Sequence, residues 1–499
     1  MTRTADQDFI AIETAGGTRI CVPPTADCLT TYVLLEQEDW FEPELAFLRR
    51  RARPGLRVLD IGANFGVYAL PLAVAAGPAG RVFAFEPSVA TGAYLRAGIA
   101  ENGLENIELF DLALSNREGT ATLTGAAPEL NAIFFSATED AAGTGERVSV
   151  TTLDGWAADR DIGAVAVVKI DAEGEETNVV AGGRRFFAEQ DPLVMVEVRQ
   201  GDRLDLAAVD LLGESGYAPY RLVPGLDALA PLTRDPDSGA PDLDPYQLNL
   251  FCAKAGRAES LAQDGYLVRE AADPAPAADE ARWQAWMADR PYAQLFAGRT
   301  AFAGRPGEGD YRAALAHFVA AEDTETGIAG RHAHLSAAVL AVDRALAAHQ
   351  SLSRLCTGAR IYAAFGARQK AANALADASG RLGQAQAVPD EPFLAPAAAF
   401  DDGADKDPNV WITLAVMETL VRLFGQSSCF VGAKTRPVVE QLARSGLASP
   451  EIERRAHLIR IKARQDIVPP SAKLTETGPG NRNAALWRQS GLVRWAVRS

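Results

Sequence analysis

Two clusters of residues in this chain have the types and spacing for chemistry. The first is Asp60-Ile61-Gly62-Ala63-Asn64-Phe65-Gly66, a carboxylate at the end of an apolar run followed by a turn with two glycines. Gly62 and Gly66 have no Cβ, so the backbone there can turn sharply and approach a ligand closely. The pattern predicts a helix starting near Gly66, whose N-terminus offers free N–H groups and a positive dipole end to a ligand carboxylate. The spacing is neither GxGxxG nor a Walker-type Gly-Lys-Ser/Thr. Roughly 25 residues after Asp60, Glu86 ends a second strand, where a nucleoside-binding α/β fold places an acid for the two ribose hydroxyls. The second cluster lies in "VKIDAEGEETNVVAGG", with Asp171, Glu173, Glu175 and Glu176 crowded together. It reads either as a strand end before a solvated helix start or as a catalytic or ligand-binding edge.

Both clusters need strands to carry them. "LRVLDIG" (56–62), "RVFAFEP" (81–87), "NIELFDLAL" (106–114), "AVAVVKID" (164–171) and "PLVMVEV" (192–198) are nearly continuous apolar runs separated by helical stretches. That alternation predicts parallel strands covered by helices on both faces, a doubly wound α/β sheet. Short β pieces between Leu114 and Leu153 predict an arm on that sheet, and "QLNLFCAK" (247–254) a late strand.

At 499 residues the chain exceeds what one core can hold. The expected partition is 1–55 as N-terminal strands and entry helix, 56–256 as the α/β domain, 257–282 as linker and 283–499 as a helical domain. The linker rests on the Pro/Ala/acid mixture of "REAADPAPAADEARW". Beyond it, Leu355, Ala359, Tyr362, Gly366, Ala371, Leu375 and Ala378 follow the packing spacing of a tetratricopeptide helix pair, without a regular repeat. His332 and His334 point to different helix faces and read as structural. Trp283, Trp286, Tyr292 and Phe296 read as core or interdomain packing, with a substrate-binding face as the alternative.

Net charge of −16 opposes non-specific nucleic-acid binding. No apolar run reaches the roughly 18–20 residues of a membrane span. The N-terminus lacks the pattern of a secretory signal, and the five scattered cysteines form no CxxC. A cytoplasmic protein with reduced thiols is expected.

Asp60 to Gly66, Phe85-Glu86-Pro87, "LALSNREG" and "VVKIDAEGEE…VVAGG" occur in an order and at distances that resemble the FkbM family of S-adenosylmethionine-dependent methyltransferases. The resemblance covers roughly residues 30–255. It implies a class I, Rossmann-like, seven-stranded methyltransferase sheet with an antiparallel late strand, followed here by an all-α helical-hairpin domain. It implies that Gly62, Ala63, Asn64 and Gly66 lie against the methionine part of the cofactor, with Asp60 at the head of the turn, and that Glu86 holds the ribose. Residues 112–115, Ala113 among them, would border the adenine, and Asp111 either reaches its amine or is a plain loop acid. Asp171 would face the sulfonium or ammonium and orient the methyl. An acceptor hydroxyl needs a base, and all five histidines lie beyond residue 316. That leaves Asp171, Glu173 or Lys169, with Glu173 favoured. Glu175 and Glu176 are read as serving the next helix. Closely placed carboxylates could also hold Mg2+, although the spacing does not require it. Asn131 is read as a turn or cap residue, with a place on the substrate side as the alternative, and Trp40 is expected to pack the entry helix over the site.

The expected function is O-methylation of a sugar, glycan or secondary-metabolite hydroxyl, with the helical domain binding substrate or a protein partner. The rival reading is a non-catalytic adaptor whose methyltransferase domain is a relic.

Overall fold

The computed structural model describes residues 2–4, 7–124, 132–134, 145–201, 203–235, 237–269, 279–383, 388–403, 407–463, 469–478 and 480–489. The chain forms two compact units, neither continuous in sequence. The first comprises 1–220, 248–258 and 449–499, and the second 221–247 and 259–448.

In the first unit, helices α1 (Leu29–Gln37) and α2 (Pro43–Arg51) precede the sheet. Strand β1 (Arg57–Ile61) leads into helix α3 (Ala69–Ala76), and β2 (Arg81–Phe85) into α4 (Val89–Glu101). Then come β3 (Ile107–Phe110), β4 (Val167–Ile170), β5 (Leu193–Glu197), β6 (Ala218–Val223) and β7 (Asn249–Ala253). Their order across the sheet is β6-β7-β5-β4-β1-β2-β3. Among the described residues the sheet has eight strands, one beyond the expected seven, the eighth being Ala228–Pro231. Strands β5, β4, β1, β2 and β3 are parallel, while β7 runs antiparallel to β5 and β6. The chain reverses its direction of travel across the sheet between β1 and β4. Open α/β sheets bind ligands at such a switch point, outside the carboxyl ends of the strands.

Apolar side chains on both faces explain why these strands are central. Val58, Leu59, Val82, Ala84, Val168, Ile170, Val194 and Val196 are all fully buried. Asp60 opposite Lys169 breaks the pattern with a charged pair between the central strands β1 and β4.

The expected third strand, 106–114, is two strands. Ile107–Phe110 pairs with β2, whereas Leu112–Ser115 runs parallel to Glu146–Thr152 in a separate four-stranded sheet. That second sheet, with Gly119–Thr124 and Ala132–Phe134, is the β arm.

The structure also departs from the expected linear partition. Helix Pro450–Lys462, which composition places in the helical domain, packs on α1 in the first unit. Arg455 Nη2 lies 3.2 Å from Glu36, and Arg454 Nε donates to the Glu36 carbonyl at 2.7 Å. Glu38 accepts from the backbone N–H groups of Arg482 and Asn483 at 2.7 and 3.0 Å. Glu36, Glu38, Arg454 and Arg455 are buried, so these charges need each other.

The second unit is built largely of helix pairs. Glu308–Ala321 packs with Ile328–Ala348, Leu352–Phe365 with Arg368–Leu382, and Pro408–Leu423 with Ser428–Arg444. Leu355, Ala359, Tyr362, Ala371, Leu375 and Ala378 are buried at the middle pair, and Gly366 ends its first helix in the left-handed conformation (φ 91°). Trp283, Tyr292 and Phe296 are core residues, with Tyr292 stacked on Trp411. His334 meets His317 across the first pair, Nδ1 to Nδ1 at 3.0 Å, while His332 faces Phe365.

Candidate functional site

Asp60 and Lys169 anchor the site from adjacent strands. Asp60 is fully buried, and Lys169 Nζ stands 3.5 Å from its Oδ1. The same ammonium donates to the Gly62 carbonyl and pairs with Asp171 Oδ2, both at 3.0 Å. Burial pushes the Asp60 carboxyl above its usual range, Lys169 opposes this, and Asp171 adds to it. For Lys169, burial acts to lower the pKa, but Asp171 and Asp60 outweigh it and the net direction is up. Lys169 therefore stays an ammonium and is removed from the list of bases.

The turn after β1 is shaped by the protein's own backbone. Gly62 has φ 77°, Asn64 φ 48° and Gly66 φ 84°. A Cβ on Gly62 would sit 1.8 Å from the Asp171 carbonyl oxygen, and one on Gly66 2.4 Å from Leu95. The expected helix start near Gly66 is instead Ala69. The N–H groups expected to be free are used internally. Gly62 and Ala63 donate to the Phe85 carbonyl at 3.1 and 2.8 Å, and Gly66 donates to that of Ala63. The Asn64 N–H donates to Glu86 Oε2 at 3.0 Å.

Glu86 also accepts from the Ser88 N–H through Oε1 at 2.9 Å. Burial raises its carboxyl to about 7 despite those two donors. A carboxylate has about four lone-pair sites, so it keeps acceptor capacity toward a ligand diol. Asn64 Oδ1 is buried with no hydrogen-bond partner. An orphaned buried oxygen beside a carboxylate fits a ligand bearing N–H or O–H donors.

The four acids of the second cluster divide. Glu175 Oε2 accepts from Ser115 Oγ at 2.7 Å and Asn178 Nδ2 at 3.1 Å. Glu176 Oε1 accepts from the N–H groups of Ala172 and Gly174 at 2.8 and 3.1 Å, bracing the turn. Asp171 remains partly exposed beyond the end of β4, with Glu173 in the turn at a left-handed φ of 50°.

Two further acids join them that the sequence reading did not select. Glu197 ends β5, the neighbour of β4. Burial pushes its carboxyl well above the carboxylate range, and Asp171, Glu173, Glu176 and Glu42 push it further. Glu42 precedes α2 and accepts a short hydrogen bond from Tyr68 OH. Burial and then Asp171 raise Glu42, against Tyr68, Lys169 and a hydrogen bond from Trp40. Trp40 thus lies against this group through Glu42. The rule that selected Asp60, Glu86 and Asp171, an acid at the carboxyl end of a parallel strand, also selects Glu197. Nothing local in the sequence marks Glu42.

Asp111 and Ala113 are not drawn into this group. Asp111 forms an ion pair with Arg96 at 2.5 Å on the surface. Ala113 is buried in the arm's own core with Ala121, Leu123, Val148 and Val150. Asn131 lies outside the described residues. Among the described residues no group of three or more His, Cys, Asp and Glu has metal-holding geometry. A cavity of about 500 Å³ lined by Asp154, Arg160 and Arg185 also takes in Gly163 and Gln190, which precede β4 and β5. It therefore lies at the amino ends of those strands, away from the acids.

Residues 60–218 match the family model described as the methyltransferase FkbM domain. Among solved structures, the chain is similar to methyltransferase FkbM from Methylobacillus flagellatus, with 17% identity over 42% of this chain and 50% of that one, and a TM-score of 0.26. The chain thus spans half the length of that protein. A SAM-dependent methyltransferase from Aquifex aeolicus shares 14% identity over 44% of this chain and 91% of that one, at a TM-score of 0.25. Aeropyrum pernix fibrillarin, solved with natively bound S-adenosyl-L-methionine, shares 13% over 50% and 96%, also at 0.25. Overlaps this low carry no argument, and the fold rests on the strand order itself. No curated protein matches the chain. The match to the methyltransferase FkbM domain model falls on the residues that carry the strand order and the strand-end acids described above.

Proposed function

We propose that the first unit binds S-adenosylmethionine and methylates a hydroxyl of a sugar, glycan or secondary metabolite. One observation carries this reading: at the switch point of the sheet, Glu86 and the orphaned Asn64 Oδ1 stand on one side, with Asp171 and its ammonium partner Lys169 on the other. The first pair suits a ribose and its neighbouring donors, and the second suits a cationic, reacting end.

When bound, S-adenosylmethionine supplies an electrophilic methyl group on a sulfonium. Asp171 orients that end, its Oδ2 being held by Lys169. We assign Glu173 as the base. An alcohol holds its proton far more tightly than a carboxylic acid does, so Glu173 takes the proton as the new C–O bond forms, directly or through water. Alignment of hydroxyl, methyl and sulfur supplies most of the rate. The helical unit is proposed to bind the acceptor or a protein partner. The five cysteines are all free, which supports a reducing, cytoplasmic setting. No helix among the described residues is long and apolar enough to cross a membrane.

Calorimetric titration with S-adenosylmethionine tests the reading: folded protein that shows no saturable binding would refute it. Once an acceptor is in hand, Glu173→Gln should keep cofactor affinity within about twofold and lower turnover about 10²-fold. Loss of both together would move Glu173 to the cofactor.

A further inference from the structure

We propose that Glu42, which lies outside the family match, lines the methyl-transfer site and makes it favour the cationic sulfur of S-adenosylmethionine over the neutral thioether of S-adenosylhomocysteine. The inference rests on the cofactor reading above and concerns how this chain's own residues treat donor and product.

Glu42 is delivered by the segment between α1 and α2. Pro43 opens α2, and the residue before a proline is held extended, here at φ −81° and ψ 119°. The Glu42 carboxylate is fixed by the hydroxyl of Tyr68, a buried side chain directly before α3. The Tyr68 ring in turn backs Lys169, whose Nζ lies 5.3 Å from the ring centroid. Lys169 grips Asp171 Oδ2. Glu42 is therefore tied by contacts to the group that faces the reacting end.

Three segments thus bring carboxylates to one place: the entry segment with Glu42, the end of β4 with Asp171, and the end of β5 with Glu197. Asp171 raises Glu42, and Asp171 and Glu42 both raise Glu197. The other charged or titratable groups acting here include Lys169, Asp60, Tyr68, Glu44, Glu173 and Glu176. Glu197, raised to about 10, holds its proton at neutral pH, and the remaining acids Asp171, Glu173 and Glu42 still outnumber the one ammonium, so the place suits a positive charge.

Methyl transfer removes one such charge. The acceptor oxygen forms a bond to the methyl carbon, the C–S bond breaks, and its electron pair stays on sulfur, which becomes neutral. Donor and product are otherwise the same apart from the methyl group. Contacts to adenosine and to the amino-acid part cancel in their affinity ratio, and the charge at sulfur dominates what remains. A half-buried carboxylate near that sulfur should change the ratio by about tenfold. Product is then expelled by the same group that attracted the donor.

The experiment is calorimetric titration of S-adenosylmethionine and S-adenosylhomocysteine into the whole protein, its Glu42→Gln variant and a Glu214→Gln control. Glutamine keeps an oxygen for the Tyr68 hydroxyl while removing the charge and one of the two acceptor oxygens. Glu214 is a surface acid paired with Arg184, so its loss changes net charge equally but far from the site. Wild type should bind the donor about tenfold more tightly than the product, Glu42→Gln should bring the two within about twofold, and Glu214→Gln should keep the wild-type ratio. Wild-type protein that binds product as tightly as donor overturns the proposal, as does Glu42→Gln with an unchanged ratio. If Glu42→Gln does not fold, the wild-type ratio is followed with added salt. It must shrink, and a constant ratio also overturns the proposal. Absence of saturable binding for either ligand is a different result, and it removes the cofactor reading itself.

Discussion

At the residue scale, the site is defined by charges that a hydrophobic sheet does not ordinarily hold. Asp60 and Lys169 are cross-strand neighbours in fully buried strands, and each is tolerable only because the other is there. Glu86 has no such partner. Its carboxyl is raised to about 7 from a usual value of 4.5, chiefly by burial. An acid with a raised folded pKa binds its proton more tightly in the folded than in the unfolded state. Its favourable contribution is complete below pH about 4.5 and is lost as pH rises through about 7. Glu86→Gln should remove that loss. The variant's stability relative to wild type should therefore increase between about pH 5 and 8, by at most about 3 kcal/mol. Urea unfolding of both proteins across that range checks it, and parallel curves would show that Glu86 does not titrate there. The acids Asp60, Glu86 and Asp171 were legible in the sequence because they end apolar runs. Glu197 ends one too and was open to the same argument. Glu42 was not, because its place depends on a tertiary contact to Tyr68.

At the element scale, the parallel strands were legible because burial on both faces leaves an unbroken apolar run. The run 106–114 misled because two adjacent strands of different sheets read as one, the break being a single acid, Asp111. β6, "APYRLV", carries proline and arginine and gave no apolar run. In the helical unit, the packing residues were legible, but the charge buried among them was not. Arg354 and Glu391 are both fully buried and paired at 2.8 Å. Arg354 Nη1 also donates to the Pro306 and Ala345 carbonyls, and Ser351 Oγ donates to Glu391. This pair ties the start of helix Leu352–Phe365 to the segment after residue 387. Glu391→Ala should destabilise the protein by about 3–5 kcal/mol, because it leaves a buried guanidinium uncompensated. Arg354→Met with Glu391→Leu should recover most of that loss. A double variant no better than the single one in thermal unfolding would mean that the pair's geometry, and not its charge balance, matters.

At the scale of the whole molecule, neither compact unit is continuous in sequence. Composition changes near residue 257, and that change invites a cut into an α/β half and a helical half. The cut is drawn at the wrong place for the physics of the first unit. Glu36 and Glu38 are buried carboxylates whose partners, Arg454, Arg455 and the backbone of residues 482–483, come from the far end of the chain. Asn483 also exchanges hydrogen bonds with the backbone of Glu13 at 2.9 Å each way. A chain ended after residue 256 would keep the sheet and all the site acids, yet strip the buried carboxylates Glu36 and Glu38 of their arginine partners. Each such charge costs several kcal/mol, comparable to the roughly 5–15 kcal/mol that holds a domain folded. Residues 1–258 alone should therefore be largely unfolded or insoluble by circular dichroism and size-exclusion chromatography. Joining residues 449–499 to them through a flexible linker, with 259–448 omitted, should restore a cooperative thermal transition. Arg455→Ala in that joined chain should abolish the rescue. If residues 1–258 fold alone with a cooperative transition, the C-terminal segment is an ornament on the first unit and not one of its parts.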